Sequence, residues 1–195
     1  MQANKELYST RTFVSDLDGF LDLLCAAAAA VGERYFQLPV AGAEDTQYRE
    51  RVYSYELYHQ LRSRWPQALH RYDLGGEVDK GGHRLVRGNG LDRAKPDLIV
   101  HVPGSMESNL AVVEIKAWLP DQNEVAVDLK KLSAFVEHAG YAGGVYLVYG
   151  SRGPDPDALL DRCRAACENA TIPMPDSVRL LLHSSAGTVP VSHSW

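Results

Sequence analysis

Apolar residues run almost unbroken over Leu98 to Val102 and again over Leu110 to Ile115, a pattern that predicts two short strands buried on both faces. The polar stretch Pro103 to Asn109 between them predicts an antiparallel hairpin centred near residue 106. Upstream, residues 1 to 15 are polar and expected to be frayed, and Ser15 caps a predicted helix from about Asp16 to Tyr35. A second helix is predicted from about Thr46 to Trp65, where Pro66 stops it, with Tyr53, Leu57, Leu61 and Trp65 as its apolar stripe. Ala68 to Lys80 reads as a first strand and Arg84 to Val86 as its partner, with Gly81 and Gly82 between them suiting a turn.

Beyond the hairpin, a helix is predicted from about Glu124 to His138, with Val125, Leu129, Leu132 and Val136 on its apolar side. A strand follows at about Gly144 to Tyr149, entered through glycines, then a helix over Asp157 to Ala170 and a last apolar strand over Val178 to His183. The tail from Ser184 onward carries no helix signal. This order predicts an α/β fold in one domain over 1–195, with a central mixed sheet of four to five strands flanked by helices.

Two acids break this pattern. Asp97 opens the first strand of the hairpin and Glu114 lies near the end of the second, and the predicted register sets them close to opposite each other. Lys116, two residues beyond Glu114, shares its face. Carboxylates about 4 to 5 Å apart on a buried sheet repel strongly, so one holds a proton or a cation lies between them. Hard oxygen donors without a companion histidine or thiolate favour Mg²⁺ or Mn²⁺, ions that complete their shells with water and substrate phosphate. Glu77 joins this set as a second-tier residue if its strand lies beside Asp97.

Composition narrows the setting. A formal net charge of −5 leaves no overall basic footprint for nucleic acid, so a polyanion must be met by local patches or metal ions. Three cysteines without framework spacing suit reduced thiols, which points to the cytoplasm. The run Leu23 to Val31 is preceded by Asp16, Asp18 and Asp22 where a signal peptide carries positive charge, and no run reaches the roughly 18 apolar residues needed to cross a bilayer. A membrane partner is therefore not expected.

Pro96-Asp97 and Glu114-Ile115-Lys116, at this spacing on adjacent strands, resemble the two halves of the motif of the PD-(D/E)XK phosphodiesterase superfamily, the restriction-endonuclease-like nucleases. The resemblance covers about 46–150 and leaves the N-terminal helix and the C-terminal helix and strand as additions. It implies a restriction-endonuclease-like core and hydrolysis of phosphodiesters by metal-activated water. Asp97 and Glu114 would bind Mg²⁺ or Mn²⁺, Glu56 on the preceding helix would complete the metal site, and Lys116 would assist attack. It further implies a supporting lysine on the following helix, best matched by Lys131 with Lys130 as the alternative. The expected partner is nucleic acid, DNA in preference to RNA, with a homodimer or partner protein completing the grip on substrate. The superfamily also contains catalytically silent modules that bind nucleic acid or protein within larger assemblies, and this is the second expectation.

Other constellations carry less. Glu56 and His59 form a Glu-x-x-His pair, but a di-iron bundle needs a second such pair, which the chain lacks. His101, four residues along from Asp97, is expected as a satisfied core histidine. No helix-turn-helix, zinc finger or added basic domain is visible, so nothing in the sequence states how a nucleic acid would be selected.

Overall fold

The computed structural model describes residues 2–42, 44–77, 91, 94–105, 108–118, 120–150, 156–173 and 176–193, with side chains from residue 15 onward. Six strands form one open mixed sheet in sequence order: β1 (Asp73–Gly76), β2 (Leu98–His101), β3 (Asn109–Ala117), β4 (Tyr141–Tyr149), β5 (Val178–His183) and β6 (Val191–His193). The first three make an antiparallel meander, β3 to β5 run parallel, and β6 closes the far edge antiparallel to β5. The parallel connections need crossovers, and α4 (Gln122–Ala139) and α5 (Pro156–Asn169) supply them.

The helices sandwich the sheet. Phe20 and Leu24 of α1 (Gln2–Ala29), Phe36 of α2 (Glu33–Phe36) and Tyr53, Leu57 and Leu61 of α3 (Glu50–Ser63) pack on one face with Ala111, Val113 and Ile115 of β3. Val125, Leu129, Leu132 and Phe135 of α4 and Leu159 and Cys163 of α5 pack on the other with Ile99, Val112, Tyr146 and Val148. Two-residue alternation therefore carries Glu114 and Lys116 onto the α4 face, beyond Val112, where the apolar core ends. Helix α4 is pinned over this spot by a capping box: Asp121 accepts from the N–H groups of Asn123 and Glu124, and the Glu124 side chain accepts from the Asp121 N–H.

Several boundaries differ from expectation for identifiable reasons. The first helix begins at Gln2 instead of near Asp16 and ends at Ala29, so Ser15 lies inside it and residues 2–15 are helical; the break at Ala30–Gly32 separates off α2. Strand β4 begins at Tyr141, because Gly143 is a strand residue and not part of an entry loop: a Cβ there would meet Leu17 of α1 at 2.7 Å and the Ser177 carbonyl at 3.0 Å. Among the described residues the sheet has six strands, because the tail returns as β6, a three-residue edge strand too short and exposed to show a periodic signal. The predicted partner strand at Arg84 to Val86 and its glycine turn lie outside the described residues. Among the described residues no helix is long and apolar enough to cross a membrane.

Candidate active site

The pairing of Leu98 with Val113 and Ile99 with Val112 sets Asp97, just before β2, opposite Glu114 on β3. Asp97 Oδ2 accepts the Ile115 N–H at 2.7 Å, in the position that the next ladder bond would have occupied. Because the N–H and C=O of a strand residue point the same way, the Ile115 carbonyl faces the same side. Burial pushes the Asp97 carboxyl above its ordinary value, against the opposing pull of the Ile115 N–H and of Lys131 and Lys116.

Glu114 is 3% exposed. Its Oε2 accepts from Lys131 Nζ at 2.7 Å, whereas its Oε1 is buried without a hydrogen-bond partner. Burial drives its pKa up to about 8, with Lys131 opposing the rise and the Asp97 and Asp128 charges adding to it. The expected supporting lysine of the following helix thus sits directly on the central carboxylate, while Lys130 is exposed.

Lys116 is held elsewhere. Its Nζ lies 3.5 Å from Asp128 Oδ2 of α4 and 3.7 Å from Glu50 Oε2 of α3. Burial lowers the pKa of this ammonium, but Asp128, Glu50 and Glu124 outweigh burial and leave it above the ordinary lysine value. Asp128 is 5% exposed and also reaches Lys131 at 3.4 Å, so charges alternate across the site as Glu114, Lys131, Asp128, Lys116 and Glu50.

The acid that α3 brings to this chain is Glu50, not Glu56. Glu50 lies in the first turn of α3, and its Oε1 accepts the Ala117 N–H at 3.2 Å where β3 ends. Glu56 lies beyond it on the same helix and accepts from Gln60 at 2.5 Å. Six residues of helix turn through about 600°, so the two acids project from well-separated faces. Glu77 follows β1 at a φ of 48°; its N–H bonds the Asp97 carbonyl at 3.3 Å and its carboxylate pairs with Arg51 at 3.7 Å. It therefore borders Asp97 through its backbone and turns its charge outward to α3. His59 is exposed and His101 half-buried.

Sequence reasoning missed Glu50 and Asp128. For Asp128 a signal existed, since it stands three residues before Lys131 and so shares a helix face with it. For Glu50 there was little, because a helix starting near Thr46 would bury it in the second turn within an arginine-rich segment.

A divalent cation fits this donor set. Glu50, Asp97, Glu114 and Asp128 face two lysines, leaving a formal charge of two negative when all are ionised. Among the described residues no group of three or more His, Cys, Asp or Glu side chains converges to hold a metal ion. The available set is thus a carboxylate pair, one member with a buried oxygen lacking a partner, beside a backbone carbonyl. Magnesium sites commonly use one or two carboxylates in this way.

No protein-family model matches the chain, no curated protein matches it, and no solved structure matches it.

Proposed function

We propose that the chain is a metal-dependent nuclease of the PD-(D/E)XK kind, hydrolysing phosphodiesters in nucleic acid, DNA in preference to RNA, from a cytoplasmic location. The observation that carries this reading is the apposition of Asp97 and Glu114 at the open end of the meander, with Glu114 Oε1 buried and unpartnered. The pair is carried by an α/β mixed sheet flanked by helices, into which we read a restriction-endonuclease-like core.

In this reading Asp97 and Glu114, with the Ile115 carbonyl, hold Mg²⁺ or Mn²⁺. When bound, the ion supplies a water of lowered pKa and positive charge for the phosphate oxygens. The Ile115 N–H fixes the Asp97 carboxylate, so one of its oxygens remains free to bind. Lys116 stays an ammonium beside Asp128 and Glu50, which suits it to stabilising negative charge on the phosphorane and to orienting water rather than to removing a proton. Glu50, and not the Glu56 expected as a metal ligand, is the α3 acid at this site, and it braces Lys116 and the end of β3.

Incubation with single-stranded, duplex and branched DNA and RNA in Mg²⁺ or Mn²⁺ tests this. Cleavage lost in EDTA and in Asp97→Ala is expected; cleavage that survives either change rules the mechanism out. A second reading, a silent module that binds nucleic acid or protein, is favoured by one observation: Lys131 and Lys116 already neutralise part of the acidic set. Binding without cleavage on every substrate would select it.

A further inference from the structure

A cleft of about 630 Å³ opens between α3 and the end of the β1–β2 pair, and it reaches the candidate active site through Asp97 and Glu50. Helix α3 contributes Glu50, Arg51, Ser54, Tyr55 and Tyr58 to its wall, positions that share one helical face. The sheet side is formed by Gly76, Glu77, Asp97 and Leu98.

We propose that this cleft receives one unpaired nucleotide of a single-stranded substrate, its base against the ring of Tyr55 and its phosphate at Arg51. The inference rests on the nuclease reading and names the substrate class for that site. Tyr58 is fixed as wall, its hydroxyl donating to the Leu74 carbonyl at 3.2 Å, whereas Tyr55 is 64% exposed while its neighbours Tyr53 and Leu57 are fully buried. An aromatic ring left in solvent in a cleft that reaches Asp97 is suited to stacking, and bases of a single strand offer it faces that the interior of a duplex keeps stacked.

Size and charge select the same occupant. The volume lies in the range of a single small ligand and not of a duplex segment. Among the described residues the cleft wall carries the carboxylates Glu50, Glu77 and Asp97, and the uncharged base is the part best matched to the tyrosine end. Among the described residues Arg51 is the cation in the wall, and its pair with Glu77, 3.7 Å long and exposed on both sides, is the weak kind that a phosphate displaces readily.

The test uses the full chain carrying Glu114→Gln, to hold substrate uncut, and single-stranded oligonucleotides containing 2-aminopurine, with a blunt duplex of the same sequence for comparison, in Mg²⁺. Single strands are expected to bind with quenching of the probe and the duplex at least about tenfold more weakly, as for stacking sites. Adding Tyr55→Ala is expected to weaken single-strand binding by about 5- to 150-fold and abolish the quenching, while Tyr55→Phe preserves both. Tyr55→Ala binding like its parent, or a duplex held as tightly as a single strand, overturns the inference. If the chain without Glu114→Gln still cuts nucleic acid in Mg²⁺, the nuclease reading survives that result. If it neither cuts nor binds any nucleic acid, the nuclease reading falls and this inference falls with it.

Discussion

Lys131 Nζ stands 2.7 Å from Glu114 Oε2, a lysine from α4 closing on a carboxylate that strand β3 has carried into the end of the apolar core. Removing one partner of a buried pair leaves the other charge uncompensated, at about 3–5 kcal/mol. Glu114 is ionised in the native state only above about pH 8, so Lys131→Met is expected to lower stability by about 3 kcal/mol above that pH and by less at neutral pH, where the carboxyl already holds a proton. Urea unfolding at pH 9 and pH 7 measures the difference, with Lys131→Arg expected to recover most of the loss.

The same buried carboxyl predicts how stability varies with pH in EDTA. Burial raises Glu114 from 4.5 to about 8, so between those values the native state holds a proton that the unfolded chain has released, and stability falls as pH rises across that window. His183 acts in the opposite sense: burial beside Tyr53 lowers it from 6.5 to about 4, so stability rises with pH up to about 6.5. A melting temperature that falls from about pH 6.5 to 8 in EDTA is therefore expected, and the fall should vanish in Glu114→Gln. A flat profile in the unsubstituted chain would show that Glu114 is ionised throughout.

Binding of a divalent ion to the folded chain stabilises it by mass action, by about 2.7 kcal/mol at a hundredfold excess over Kd. Addition of Mg²⁺ or Mn²⁺ is expected to raise the melting temperature. The rise should disappear in both Asp97→Ala and Glu114→Gln, and a rise retained in the pair would place the ion elsewhere.

Glu50 and Glu56 separate two accounts of helix α3. Glu50 braces Lys116 and the Ala117 N–H, whereas Glu56 bonds within its own helix. In the proposed nuclease, Glu50→Gln is expected to slow cleavage about tenfold or more, equivalent to roughly 1.4 kcal/mol at the transition state, and Glu56→Gln to leave the rate within about twofold. The reverse order of effects would return the role to Glu56.

Asp128 is a positioning residue, because it holds both lysines without lying in the carboxylate pair. If the chain is the nuclease proposed, Asp128→Asn is expected to lower kcat by about tenfold with little change in KM, since in that reading it loosens an ammonium placed to act on developing charge. Steady-state kinetics with a melting curve as control distinguish this from simple destabilisation, and an effect confined to KM would contradict it.

The legible part of this protein was whatever depends on local periodicity. Alternation over β2 and β3 and the centre of the turn between them were enough to set Asp97 opposite Glu114, and the stripe Tyr53, Leu57, Leu61 marked the buried side of α3. Lys131 was expected from the resemblance alone, with Lys130 as the alternative, and the structure places its Nζ 2.7 Å from Glu114 Oε2. Gly143 shows the limit, since a glycine that signals a loop by composition pairs with Ala111 in the sheet here, and Leu17, far away in sequence, leaves no room for a Cβ at that strand position.

By itself, then, the chain determined which residues share a face, because hydrophobic period and side-chain direction are properties of a single element. Only the tertiary structure decided which end of each helix abuts the end of β3. That placement selected Glu50 over Glu56, brought Asp128 between two lysines and left Tyr55 facing an open cleft. Such contacts are set by how α3 and α4 dock on opposite faces of the sheet, a packing outcome of many distant residues that no local pattern encodes.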